Sequence, residues 1–272
     1  MNVLRTATVW VAAFVLALFL TAFLLTLTAF QLTSDDTGKD ILRRSVAIST
    51  DIDAVLPGIE ADLDTIAAEG DSPTVTVPGF PIPVELTHEE TATLRGTDLR
   101  ERILDEAAQR LYDDGGSAWA AADVEANRDV ERVSTAGTID YGLGFIRGST
   151  NTLLLIVAVL LAIIVVGLAG VLMVILPWDM RILVAGGITV FAALPSLAGA
   201  VGLRFIFRTA DAEGDPFVEG MLDLGVDAMW VPIRSFLVLS VFGIVLILLA
   251  TLLLWWTSRL SPPGQSALDA PS

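Results

Sequence analysis

Four stretches of this 272-residue chain contain no Asp, Glu, Lys, Arg or His: residues 8–32, 152–176, 182–203 and 235–257. Each exceeds the roughly 20 residues that a helix needs to cross about 30 Å of hydrocarbon. All are rich in Leu, Val, Ile and Ala, whereas a membrane barrel strand would be about 10 residues long and alternating. The sequence therefore predicts an all-α membrane protein with four transmembrane helices, and the mean hydropathy of +0.69 agrees.

The first uncharged stretch could belong to a cleaved export signal or to an anchor that stays in the protein. A cleavable signal has an apolar segment of about 7–15 residues followed by a small-x-small site. Here the uncharged segment has 25 residues, and no Ala-x-Ala lies near Leu32. We therefore predict that residues 8–32 are a retained signal anchor.

The segments between the spans predict the domain organisation. Residues 33–151 are long enough for a small, mainly helical soluble domain with a minor extended or β element, inserted between spans 1 and 2. Residues 204–234 form a second loop on the same face. The opposite face carries the N-terminal tail, a short turn and the C-terminal tail, which are residues 1–7, 177–181 and 258–272.

The predicted orientation of the four spans depends on the residues that flank the first span. Lys and Arg residues lie near span ends on both faces, so the positive-inside rule gives no clean preference, and long loops are largely exempt from it. A short tail with one arginine, Arg5, ahead of an apolar run is the usual layout of a signal anchor. We therefore expect both termini in the cytoplasm and the large domain outside the cell membrane.

The charge balance of the chain is strongly acidic. Asp and Glu number 32 against 16 Lys and Arg, which gives a net charge of −16, and Lys39 is the only lysine. This composition resembles that of proteins from salt-loving archaea, where a screening length of about 3 Å at 1 M salt mutes self-repulsion. An acidic protein from a high-GC bacterium is the alternative. Nucleic acid is excluded as an expected partner because no basic patch could neutralise phosphates.

Periodic apolar residues predict helices in the inserted domain. One face of a helix carries Ile41, Ile48, Ile52, Val55, Ile59, Leu63 and Ile66. We expect Pro57-Gly58 to bend or break this helix. Residues 70–86 alternate apolar and polar side chains, but three prolines restrict them to an extended or edge-strand element.

Further helices are predicted from capping signals and apolar stripes. Thr87 with Glu90 fits a capping box, and a following helix over residues 97–114 buries one stripe: Leu99, Ile103, Ala107 and Leu111. A third helix is indicated by Trp119, Ala126, Val130 and Val133. In the second loop, Asp215-Pro216 is a good start for a short amphipathic helix, which we expect to pack under the large domain.

The motifs do not indicate a catalytic, cofactor-binding or metal-binding residue. His88 is the only histidine, so a zinc-protease helix is excluded. The acidic residues 211–219 alternate as in calcium loops, but Pro216 and Leu222 stand where such a loop needs Gly and Glu. We therefore read this segment as a solvated acidic loop, and we expect that the protein is not an enzyme.

We expect a non-catalytic envelope interaction, scaffold or sensor-like protein that acts through its outer domain. The alternative is an accessory or pore-forming subunit of a transport or channel complex, although the spans lack the ionisable groups that transporters usually keep in the bilayer. An extracytoplasmic enzyme is a weaker third hypothesis. The expected partners are membrane lipid and other membrane or envelope proteins. Span 3 also offers self-association through small residues, with the pairs Ser196/Ala200 and Ala198/Gly202.

Overall fold

A computed structural model describes residues 3–69, 73–115 and 145–260 of the chain. Those residues are mostly helical, with one two-stranded sheet. In chain order the elements are α1 (Val3–Leu32), α2 (Asp35–Thr50), α3 (Ile52–Glu69), β1 (Thr74–Thr76), β2 (Glu85–Thr87), α4 (His88–Thr93), α5 (Gly96–Asp114), α6 (Gly148–Ile175), α7 (Trp178–Thr209), α8 (Pro216–Ala228) and α9 (Trp230–Leu260). The predicted helical character of the chain is confirmed.

Each uncharged stretch lies within one long helix, except that the second runs one residue past the end of α6. The helices α1, α6, α7 and α9 are long and apolar enough to cross a membrane, which indicates a membrane-embedded protein. Their ends differ from the uncharged stretches because helices continue into the flanking polar residues. The expected turn at residues 177–181 is shorter than predicted, since α6 ends at Ile175 and α7 already begins at Trp178.

The chain divides into two compact units. The first, here called the span unit, comprises the described residues of Met1–Thr28, Val157–Gly202 and Pro232–Ser272. The second, here called the head unit, comprises those of Ala29–Ile156 and Leu203–Val231. Each unit has its own packing, and the two are described in turn.

Small and branched side chains hold the span unit together. Leu16 and Ala17 of α1 are buried in one cluster with Leu172 of α6, Leu176 directly after α6, and Ile188 of α7. Since lipid is as apolar as these side chains, the hydrophobic effect does not favour contact between spans, and close packing has to supply the attraction.

Two glycines lie at a close contact between α7 and α9. A Cβ added to Gly186 would stand 2.9 Å from the carbonyl oxygen of Gly243 and 3.0 Å from the backbone nitrogen of Ile247. A Cβ added to Gly243 would stand 3.1 Å from the carbonyl oxygen of Gly186. The two backbones therefore meet at a distance that only glycine permits, as in other small-residue contacts between membrane helices.

The head unit has a closed apolar core between helices and a hairpin. Leu42 and Val46 of α2 and Ile59 and Leu63 of α3 are fully or almost fully buried. The stripe predicted on α5 is confirmed, because its four residues, Leu99, Ile103, Ala107 and Leu111, are all buried in the same core.

The expected break at Pro57-Gly58 is wrong, because the chain breaks earlier. Asp51 ends α2 in the left-handed conformation, with φ 44°, and α3 then runs through Pro57 without interruption. Asp tolerates this conformation better than most residues. Pro57 lies in the second turn of α3, where the loss of one backbone hydrogen bond is not enough to end the helix.

The proline-rich segment forms a hairpin. Strands β1 and β2 pair antiparallel with Val75 opposite Leu86, and both of these side chains are buried. Between the strands, Phe80, Ile82 and Val84 also point into the core. The three prolines occupy the connection rather than the ladder, so the extended, edge-like element predicted from the sequence is confirmed for residues 73–87. The third helix predicted around residues 119–133 lies outside the described residues.

The capping box at α4 is confirmed, and the pKa of its carboxyl group, that of Glu90, is lowered. The Thr87 hydroxyl accepts from the Glu90 N–H at 3.2 Å, and the Thr87 N–H donates to the Glu90 carboxylate at 2.8 Å. That backbone hydrogen bond, with the one donated by Arg102, holds the pKa of Glu90 below its ordinary value of 4.5. The charged carboxylate is thus the form that the fold favours.

Two hydrogen bonds connect the start of the head unit to helices α5 and α6. The buried Tyr112 hydroxyl of α5 donates to the Thr33 carbonyl at 3.0 Å, and burial raises the pKa of this phenol above its ordinary value of 10.0. The Asn151 amide of α6 donates to the Phe30 carbonyl at 3.1 Å. Both bonds satisfy carbonyl groups that the end of α1 leaves free.

The glycine contact predicts a difference between neighbouring residues. We expect Gly186→Ala to lower the free energy of unfolding by about 1–3 kcal/mol, because the new methyl group meets backbone atoms. Gly187→Ala is the matched control, since a Cβ there meets nothing within 4 Å. Thermal unfolding of the detergent-solubilised protein measures both, and equal melting temperatures for the two variants would contradict the packing described above.

The capping box predicts a pH dependence. The folded pKa of Glu90 lies below the unfolded pKa, so its contribution is complete above about pH 4.5 and is lost as the pH falls through the folded value. We expect Glu90→Gln to destabilise the protein by about 1 kcal/mol at pH 6 and to flatten the loss of stability between pH 6 and pH 3. Glu89→Gln, at the exposed neighbouring carboxylate, should leave the pH profile of the wild type unchanged in thermal unfolding.

Candidate functional site: a charged groove beside Arg204

The C-terminal end of α7 carries two arginines on one face. Arg204 is the first charged residue after the uncharged residues 182–203, and Arg208 follows one turn later. Residues four apart on a helix lie side by side. The Arg204 guanidinium lies 5.1 Å from the ring centroid of Trp230, the first residue of α9. This distance is within the range of a cation–π contact, which restricts where the guanidinium can point.

Helix α8 begins as the sequence predicts and packs closely on both sides. Asp215 caps it by accepting from the Phe217 N–H at 2.9 Å, and Pro216 occupies its first turn. A Cβ on Gly225 would stand 2.9 Å from the Phe207 ring of α7, and one on Gly220 would stand 2.9 Å from the Ile48 side chain of α2. Two glycines therefore set the distance of α8 from each of these helices.

Between the end of α7, the following loop and α8 lies an open groove of about 640 Å³, here called the Arg204 groove. Small-molecule sites typically range from roughly 300 to 1,000 Å³. One wall carries the two guanidinium groups of α7. The α8 wall carries the carboxylates of Glu219 and Asp223, and Asp211 of the loop also lines the groove.

The charges of the Arg204 groove do not pair with one another. Within the described part of the chain, no ion pair within 4.0 Å involves Arg204, Arg208, Asp211, Glu219 or Asp223. The only side-chain hydrogen bond that the structure gives these five residues joins the Asp211 carboxylate to the Glu213 N–H, at 3.0 Å. The fold thus presents opposite charges on facing walls and does not use them to hold the walls together.

A neighbouring groove on the other side of Arg204 is built differently. Arg44 of α2 donates to Asp227 of α8 at 3.1 Å and lies 3.2 Å from Asp40. These groups line a groove of about 500 Å³ together with Arg204. Because its carboxylates already have a cationic partner, this second groove has fewer free charges to offer a ligand.

No site residue is predicted from the sequence, and the groove is not apparent there. In the parts of the chain that the structure covers, no three acidic or histidine side chains converge on a metal position. The signal that could have found the groove was the pair Arg204 and Arg208 opposite the acidic pair Glu219 and Asp223. The proximity of these two pairs of residues becomes visible only when α8 is placed against α7.

One carboxyl group elsewhere in the head unit, that of Asp53, stabilises the fold. Asp53 accepts from Arg100 at 2.7 Å, and this hydrogen bond holds the pKa of Asp53 below its ordinary value.

Comparison with known proteins adds no assignment: no protein-family model, curated protein or solved structure is similar enough to this chain to match it.

Proposed function

We propose that this chain is a four-span cell-membrane protein whose head unit lies outside the cytoplasm and acts as a non-catalytic, sensor-like interaction module. The observation that carries the proposal is the Arg204 groove, where neither Arg204 nor Arg208 forms an ion pair with a described residue. Most other arginines that the structure describes in the head unit do form one. Arg43 and Arg100 each bridge two helices through a carboxylate, and Arg95, between α4 and α5, pairs with a carboxylate of α3. Charges that the fold leaves unpaired are the ones available to a partner.

Tryptophan–arginine pairs support the membrane placement. In the span unit, the guanidinium of Arg181 lies 5.0 Å from the Trp178 ring and that of Arg259 lies 4.1 Å from the Trp255 ring. Tryptophan is enriched at the headgroup level of membranes. Both pairs lie at helix ends that the proposed topology assigns to the cytoplasmic face.

The expected membrane partners have a candidate surface on α7. Ala198, Gly199 and Gly202 are exposed, and a Cβ on either glycine would meet nothing within 4 Å. Small residues allow another helix to approach closely in lipid. This surface is where we place contact with lipid, with a second copy, or with a span of another envelope protein.

The proposed topology predicts the labelling pattern of single cysteines. The chain contains no cysteine, so Asp62→Cys on α3 and Pro177→Cys between α6 and α7 each report one position without background. In intact cells, a membrane-impermeant maleimide should label Asp62→Cys and should reach Pro177→Cys only after permeabilisation. The reverse pattern would overturn the outside placement of the head unit.

The proposed interaction predicts where partners cross-link. A photoreactive residue at the exposed Ala210, which lines the Arg204 groove, should give a discrete adduct in native membranes, identified by its mass. The same residue at the exposed Asp62 of α3 is the matched control. An adduct at position 62 and none at position 210 would place the contact surface elsewhere on the head unit.

A further inference from the structure

The Arg204 groove has a charge pattern that selects among ligand classes. Arg204 and Arg208 are one turn apart on α7, and Glu219 and Asp223 are one turn apart on α8. The groove is therefore lined by two cationic groups from α7 and two anionic groups from α8, and Asp211 adds a third carboxylate. A simple anion would meet three carboxylates, and a simple cation would meet two guanidinium groups.

We infer that this groove binds a dipolar ligand. Its phosphate or carboxylate end lies at Arg204 and Arg208, and its ammonium end lies at Glu219 and Asp223. This inference rests on the proposed function, since it names the class of ligand that a sensor-like head unit would detect.

Packing sets how closely α8 approaches the end of α7. A Cβ on Gly225 would stand 2.9 Å from the Phe207 ring, so α8 lies directly against α7 at this point. The Arg204 guanidinium contacts Trp230, which lines the neighbouring groove, and Arg204 therefore borders both grooves. Where the head unit does form ion pairs between helices, as between Arg43 and Asp105, the nitrogen–oxygen distance is 3.1 Å. The five charged residues of the groove form no such contact with any residue that the structure describes.

A ligand that carries both charges binds the groove more strongly than the water molecules that it displaces. Charge-assisted hydrogen bonds to guanidinium and carboxylate groups are stronger than neutral ones, and two such sites of opposite sign fix the orientation of the ligand. Arginine forks suit the planar or tetrahedral oxygens of carboxylates and phosphates. The same walls attract opposite ends of one molecule, so each end contributes to affinity and to selectivity.

Two sources share this chemistry. Arg204 directly follows the last uncharged residue of span 3, which is the depth at which phosphates of a bilayer are expected. A zwitterionic lipid headgroup could therefore supply the ligand, and so could a free zwitterion in solution. Phosphoethanolamine carries the shared chemistry of both and is the probe of choice.

The binding experiment uses the full-length protein in nanodiscs of phosphatidylglycerol, whose headgroup has no amine. Phosphoethanolamine, inorganic phosphate and ethylammonium are titrated separately by calorimetry. We expect saturable binding of phosphoethanolamine and at least about tenfold weaker binding of each single-charge probe, because each lacks one set of charged hydrogen bonds. Equal affinity for inorganic phosphate and phosphoethanolamine would overturn the dipolar assignment, and so would the absence of saturable binding.

Variants test the two walls separately. Arg208→Gln and Asp223→Asn should each weaken phosphoethanolamine binding about tenfold or more. Both side chains are exposed and have no side-chain partner among the described residues, so neither change removes a contact of the fold. Arg43→Gln and Asp62→Asn are the matched controls outside the groove and should bind as the wild type does. Unchanged binding by Arg208→Gln or Asp223→Asn would contradict the inference.

A second nanodisc composition identifies the source. If the ligand is a lipid headgroup, phosphatidylethanolamine in the disc should occupy the groove and suppress the phosphoethanolamine titration. If the ligand is free in solution, both compositions should give the same titration. These measurements use purified protein, so they do not depend on orientation in the cell, and a failed maleimide experiment would leave their outcome intact.

Discussion

The exclusion of water from the lipid interior governs the span unit. Every backbone N–H and C=O group there needs a partner within its own segment, which is why the apolar stretches fold as uninterrupted helices. Several hydroxyl groups obey the same constraint, since Thr21, Thr28 and Ser196 donate to the carbonyl four residues earlier at 2.9, 2.9 and 3.2 Å. The buried Ser240 hydroxyl is an exception, with no hydrogen-bond partner among the described residues. Contact between the helices depends mainly on packing, and Gly186 and Gly243 allow a close approach of two backbones.

The head unit distributes its charges by a different rule. Its core is closed by α2, α3, α5 and the hairpin, and its ion pairs lie on the surface. Exposed pairs such as Arg43 with Asp105 contribute only about 0–1 kcal/mol each. The core therefore supplies most of the stability, and the unit can leave the five charged residues of the Arg204 groove unpaired without losing its fold.

Patterns that depend on neighbouring residues were readable from the sequence. Charge-free length located the four spanning helices, period-four apolar spacing located the stripe on α5, and Thr87 with Glu90 located the capping box. These features depend on one helix or one turn. The break at Asp51 was not readable, because Pro57 is the stronger sequence signal and the left-handed conformation of Asp51 depends on how α2 and α3 close over the core.

The Arg204 groove could not be predicted from the sequence, for a related reason. Its two walls come from separate helices, and only the Phe207 contact of Gly225 brings Arg208 and Asp223 to the same opening. A sequence shows two arginines and an acidic helix, and both are common on solvated surfaces. The distance between the walls, which decides whether the charges pair, is a tertiary quantity.

The glycine contacts of α8 have a mechanical consequence. On one side the helix touches the Phe207 ring and on the other the Ile48 side chain, each 2.9 Å from where a methyl group would stand. Because glycine places no side chain at either contact, α8 has no rotamer there that could adjust if the helix moved. A displacement of α8 would therefore have to be accommodated by the Phe207 and Ile48 side chains.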